Sequence, residues 1–144
     1  MDRQKAIQIA EDYIRTVQGQ YSKIEIVGSI RREKSEVKDV DLIAIPKYPQ
    51  NKKIIRLNYK DIQIDIYLAT EGTFECLRLI RTGSAEHNRM LCSLALQKGW
   101  KLKASGEGLI TKDKTLKVEK EILEALLGKY VEPKDREVKV KMRE

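Results

Sequence analysis

Four short runs in the first half of the chain alternate apolar and polar residues with a period of two, and that period decides most of what the chain can become. KIEIVGS (23–29), DVDLIAI (39–45), KIIRLNY (53–59) and IQIDIYL (62–68) each read as a strand, because successive side chains on a strand point to opposite faces. KYPQN (47–51) is a polar turn between the second and third. Ahead of them, Ile7, Ile9, Ala10, Tyr13, Ile14 and Val17 fall near helical spacing, with Asp2 as the N-cap. Four strands against an amphipathic helix predict an α+β lobe.

After Ala69-Thr70 the pattern changes. Phe74, Leu77 and Leu79-Ile80 predict a helix broken by RTGS (81–84), and Ala85 to Lys98 predicts a second, closed by Gly99. WKLKASGEGLITKDK (100–114) reads as a hairpin turning near Gly106, and VEKEILEALLG (118–128) as a short helix ending at Gly128. A small α/β lobe therefore follows the first, with residues 1–69 and 70–144 as the two units. The charged tail EVKVKMRE (137–144) is a frayed end or an edge strand.

The chain has 144 residues, 41% of them hydrophobic, which is enough to fold without staples. Lys and Arg number 29 against 22 Asp and Glu, a net charge of +7 that favours phosphate-rich partners. Cys76 and Cys92 have no metal-ligand spacing and read as small apolar residues, which fits a reducing compartment. No apolar run approaches the roughly 18 residues of a membrane span, and the start lacks a signal-peptide core. The expectation is a cytoplasmic, monomeric protein, nucleoid-associated if it meets DNA. The single histidine, His87, excludes schemes that need two or more; it reads as a solvated first-turn residue or one near DNA.

Against this background, two carboxylates at the head of an apolar strand need a purpose. Residues i and i+2 on a strand face the same way, so Asp39 and Asp41 project together about 6.5 to 7 Å apart. Such a pair repels unless something positive lies between, and an oxygen-only set suits Mg²⁺. In IQIDIYL the apolar residues take one face and leave Gln63, Asp65 and Tyr67 on the other. Three carboxylates from neighbouring strands can hold two cations about 3.5 to 4 Å apart, the arrangement used in in-line phosphoryl transfer. The plainer alternative has Asp39 ending a loop, Asp41 paired with Arg31 or Arg32, and Asp65 on a wet face.

The turn between the first two strands adds phosphate chemistry. Gly28 lets backbone approach a phosphate, Ser29 offers a hydroxyl, and Arg31 or Arg32 can neutralise oxygens. A strand, Gly28-Ser29, two arginines and then Asp39-x-Asp41 resembles the GS…DxD pattern of the nucleotidyltransferase superfamily. The resemblance implies that Gly28 and Ser29 hold an incoming triphosphate and that Arg32 contacts it. It also implies that Asp39 and Asp41 bind two Mg²⁺ ions (Mn²⁺ as a substitute), while Asp65 binds one and activates the attacking hydroxyl.

The second half resembles the X-family DNA polymerases, the DNA polymerase beta group. The likeness lies in RTGSAEHNRMLCSLALQKGWKLKASGEGL (81–109) and VEKEILEALLGKYVEPKDRE (118–137). The implied fold is a nucleotidyltransferase-type palm, a mixed sheet with helices, followed by a small thumb. The implied roles put Thr82, Gly83 and Ser84 against the nucleotide sugar and Asn88 at the base edge. Arg81, Arg89, Lys98, Lys101 and Lys103 become candidate DNA contacts. Taken alone, TGS would be a helix cap with Ser84 as the N-cap, and the lysines an exposed strand face with an apolar reverse. Where that family carries two aromatics before the turn, this chain has Ile80-Arg81, which implies an altered sugar pocket; Cys92 stands where many members have an arginine.

The expected function is Mg²⁺-dependent, DNA-directed addition of a dNTP to a primer 3′ end, on primer–template or gapped DNA, in short-gap repair. Two alternatives stay open: transfer to another acceptor (RNA, protein or a small molecule), and a catalytically silent DNA-binding module.

Overall fold

A computed structural model describes residues 1–137 and gives an α+β protein with a four-stranded mixed sheet, a three-stranded sheet and five α-helices. The tail from Val138 onward, predicted as an end or an edge strand, lies outside the described residues. Helix α1 (Arg3–Val17) starts where Asp2 accepts a hydrogen bond from the Lys5 amide at 2.9 Å, the expected N-cap. Strands β1 (Tyr21–Val27), β2 (Val40–Pro46), β3 (Ile54–Tyr59) and β4 (Ile62–Leu68) follow the four alternating runs closely. Their order is β1-β2-β4-β3, with β2 and β4 parallel and both outer strands antiparallel to their neighbours.

Two corrections concern strand ends. Gly28-Ser29 does not extend β1; it opens a one-turn helix, α2 (Gly28–Arg31), because Gly28 takes a left-handed φ of 68° that swings the chain out of the sheet. Asp39 does not lie within β2, which begins at Val40, so Asp39 sits in the bend before it.

The period of two separates the sheet faces as expected. Leu42, Ala44, Ile64 and Ile66 pack under Ala6, Ile9 and Ala10 of α1. On the opposite face, Val27, Ile43, Ile45 and Tyr67 meet Phe74 and Leu77 of α3 (Phe74–Thr82). The other side of α3 gives Cys76, Leu79 and Ile80 to a second core with α4 (Ala85–Gln97), α5 (Glu119–Leu127) and the small sheet. That sheet contains β5 (Lys101–Lys103), β6 (Gly108–Ile110) and an additional strand, β7 (Thr115–Leu116). One helix thus belongs to both cores. α5 ends at Gly128, left-handed at φ 82°, as its sequence predicted.

The two cores are also tied by charge. Glu119, 2% exposed at the start of α5, receives Arg31 of α2 at 2.9 and 3.1 Å, Arg78 of α3 at 3.1 Å and Arg136 at 2.7 Å. Burial alone would raise the Glu119 pKa, but the hydrogen bond and charge of Arg31 and the charge of Arg136 hold it below its ordinary value. Deleting one partner of such a network strands buried charge. Glu119→Ala is therefore expected to cost roughly 3 to 5 kcal/mol in urea unfolding; a loss under 1 kcal/mol would show that the arginines find other partners.

Candidate active site

The parallel register of β2 and β4 puts Asp41 directly beside Asp65, and the antiparallel register of β3 puts Arg56 on the far side of Asp65. All three lie on the sheet face that meets α3. Asp65 is 5% exposed, which removes the alternative of a wet sheet face. Its Oδ1 accepts from Arg56 Nε at 2.8 Å, Oδ2 meets the other arm of the guanidinium at 3.4 Å, and the Gln63 amide donates at 3.2 and 3.3 Å. Asp41 is crowded. Burial pushes its pKa up to about 6, and the carboxylates of Asp65 and Asp39 push the same way, against the charges of Arg81 and Arg32. So Asp41 and Asp65 are brought side by side, and Asp39 acts on Asp41 by its charge from the bend rather than from the strand.

Gly28 closes one side of the cluster. A Cβ placed on it would overlap the Asp41 Oδ2 and lie 2.9 Å from the Asp41 Cβ, so only glycine lets the turn pass. Ser29, next along, is half-buried. Arg31, a candidate phosphate ligand in the sequence, is committed to Glu119 and to the Thr82 hydroxyl at 2.6 Å. Arg32 reaches across to the second core: its NH1 donates to the Thr82 carbonyl at 2.6 Å and its Nε to the Glu137 carboxylate. A Cβ on Gly83 would come within 3.1 Å of that same guanidinium. The Gly28-Ser29 and Thr82-Gly83-Ser84 turns, far apart in sequence, therefore face each other across Arg32.

Within the second turn the side chains serve structure. Thr82 Oγ1 donates to the Arg78 carbonyl, and Ser84 caps α4 by accepting from the His87 amide at 3.2 Å while donating to the Arg136 carbonyl at 2.8 Å. The Gly83–Ser84 peptide is cis. Asn88 donates to the Ile80 carbonyl at 2.8 Å and keeps its Oδ1 buried without a partner among the described residues. Arg81 lies over the Tyr67 ring, its Cζ 4.0 Å from the centroid, with its Nε buried and without a partner among the described residues. Arg89, Lys98 and Lys101 are exposed and Lys103 half-exposed, with Leu102 buried behind them. His87 needs correction: it is 1% exposed, not solvated, because the first turn of α4 is inserted under the Arg136 segment.

A groove of about 720 Å³ runs along the same sheet face, past Tyr67, Arg81 and Leu77, to a rim carrying Lys47, Lys52 and Lys53. The donor set around Asp41 fits a hard divalent cation in kind, being all oxygen and overloaded with negative charge. Among the described residues no three acidic, histidine or cysteine side chains converge on one cation position; Asp65 is turned to Arg56.

Residues 77–137 match the family model of the DNA polymerase beta thumb. That segment takes in most of α3 and all of α4, α5 and the small sheet, so the second half of the chain is similar to that thumb. No curated protein sequence matches the chain. Among the described residues, no helix is long and apolar enough to cross a membrane.

The site makes two measurable demands. Gly28→Ala combines a left-handed φ with a collision at Asp41, so it should lose roughly 1 to 3 kcal/mol in urea unfolding, whereas Gly19→Ala, which meets nothing within 4 Å, should be near neutral. Equal effects would remove the Gly28–Asp41 packing from the account. Burial first, then the Arg136 charge, lowers the His87 pKa from 6.5 to about 4. The unfolded chain then binds the proton first, so stability is complete above pH 6.5 and falls as pH drops toward 4. Between pH 7.5 and 4.5 the wild type should lose about 2.5 kcal/mol more than His87→Gln; identical pH slopes would contradict the buried neutral imidazole.

Proposed function

We propose that the chain is a template-directed DNA polymerase of the X-family type, with residues 1–69 as palm and 70–144 as thumb, transferring dNMP to a primer 3′ hydroxyl in short-gap synthesis. The observation that carries this reading is the in-register pair Asp41 and Asp65, packed against the Gly28 turn and facing the Thr82-Gly83-Ser84 turn across Arg32. The similarity of residues 77–137 to the polymerase beta thumb favours a nucleic-acid acceptor over a small molecule.

In this reading Gly28 and Ser29 admit the triphosphate and Arg32 grips its oxygens. Asp39, Asp41 and Asp65 would hold two Mg²⁺ ions, or Mn²⁺. When bound, such ions lower the pKa of an attacking hydroxyl and offset charge on the phosphates. The primer 3′ oxygen attacks the α-phosphorus in line, its proton leaves toward Asp65, and the α–β bridging bond breaks to release pyrophosphate. The Gly83 backbone and Asn88 frame the sugar and base edge. Arg81, lying over Tyr67, puts a cation near Asp41 where the resembled family has a ring. Arg89, Lys98, Lys101, Lys103 and the lysine-rimmed groove offer phosphate contacts for the DNA strands.

Asp65→Asn keeps the shape of the side chain and removes its charge. Primer extension with Mg²⁺ should fall by at least about a thousandfold while duplex DNA affinity stays within about threefold, because the loss is confined to the reacting groups. Activity within tenfold of wild type would remove Asp65 from the reaction.

A further inference from the structure

Two sets of ion pairs differ in how they are covered. In the Glu119–Arg136 pair both partners are sealed: the Glu119 side chain is 3% exposed and Arg136 is 0% exposed. At the acidic cluster the pairing is lopsided. Asp65 is 8% exposed but its partner Arg56 is 61% exposed, and on the phosphate side Arg32 is 16% exposed against 35% for Glu137. In each case the group that belongs to the proposed site is the less exposed of the two, and the group that neutralises it arrives from the surface.

The chemistry of the two surface groups is also matched. Arg56 puts a cation on the carboxylate that the reaction needs for a cation, with both oxygens of Asp65 engaged. Glu137 puts an anionic oxygen on the guanidinium that the reaction needs for a phosphate oxygen, and its second oxygen lies 3.8 Å from Lys34 Nζ. A buried carboxylate or guanidinium left bare is costly, whereas an exposed partner gives up little on returning to water. An exposed partner can move into water when a better one comes.

We infer that the resting site is filled by its own counterions, Arg56 standing at the cation position of Asp65 and Glu137 at the phosphate position of Arg32, so that ligands enter by exchange. The inference rests on the proposed reading that the acids take cations and Arg32 takes phosphate. Exchange keeps the buried Asp65 and the half-buried Arg32 neutralised at every stage. It also separates the two ligands: each displaces its own surrogate.

The test is binding without turnover. Free Mn²⁺ is followed by electron paramagnetic resonance at pH 8 without nucleotide, and tripolyphosphate by calorimetry in EDTA. Arg56→Gln should tighten Mn²⁺ about two- to fivefold and leave tripolyphosphate within twofold; Glu137→Gln should do the reverse. Lys112→Gln, in the loop between β6 and β7 and away from the groove, and Glu132→Gln, on the same segment as Glu137, change net charge equally and should move neither affinity beyond twofold. All four are exposed surface positions. Unchanged or weakened binding in both variants, or equal shifts in the controls, overturns the exchange. If the wild type binds both probes and the variants do not differ, the exchange alone fails. If the wild type binds neither, the proposed site fails and the exchange with it.

Discussion

One carboxylate, Glu119, organises the molecule. Sealed from water and shared by arginines of α2, α3 and the segment after α5, it fixes the relation between the strand sheet and the C-terminal core. The apolar contacts alone do not specify that relation, since packing is tolerant of sliding and a forked guanidinium–carboxylate pair is not. Arg31 carries the constraint directly, joining Glu119 to Thr82 at the turn that faces the acidic cluster. The neighbouring Arg32 is left to span the two turns. A difference of one position in an Arg-Arg pair thus separates a structural tie from a group able to meet a ligand.

The cluster itself follows from the strand order. Because β4 inserts between β2 and β3, Asp41 and Asp65 become lateral neighbours on parallel strands, and like charges are forced together out of water. Such crowding stores a demand for positive charge. The protein answers with Arg56 and with Arg81, whose stacking on Tyr67 holds its charge near Asp41. A site that satisfies itself by surface side chains can stay soluble and folded and still present buried acids to a ligand.

Much of this was legible in the residues. The period of two located every strand of the main sheet and put Asp65 opposite its apolar neighbours; Asp2, Ser84 and Gly128 marked helix ends by side-chain chemistry or left-handed backbone. Local pattern failed where register decides. Arg56 was readable in principle: the loop of Lys60 and Asp61, both with positive φ, pairs Tyr59 with Ile62, and counting back from it sets Arg56 against Asp65. Glu119 gave no such signal, because a charge in a first helical turn is ordinary until the arginines around it are known. The burial of His87 was hidden for the same reason, its cover coming from Arg136, far along the chain. β7, two residues long, carries too little alternation to detect.

In the proposed reading, the acids of the sheet and the two facing turns together add a nucleotide chosen by a template. The most direct measurement offers the wild-type protein a one-nucleotide gap with each of the four template bases in turn, with single dNTPs and Mg²⁺, and resolves the products by mass. The account predicts one added residue, complementary to the template base, with stoichiometric pyrophosphate. Addition independent of the template base, or none on DNA alongside transfer to RNA or another hydroxyl, would contradict it.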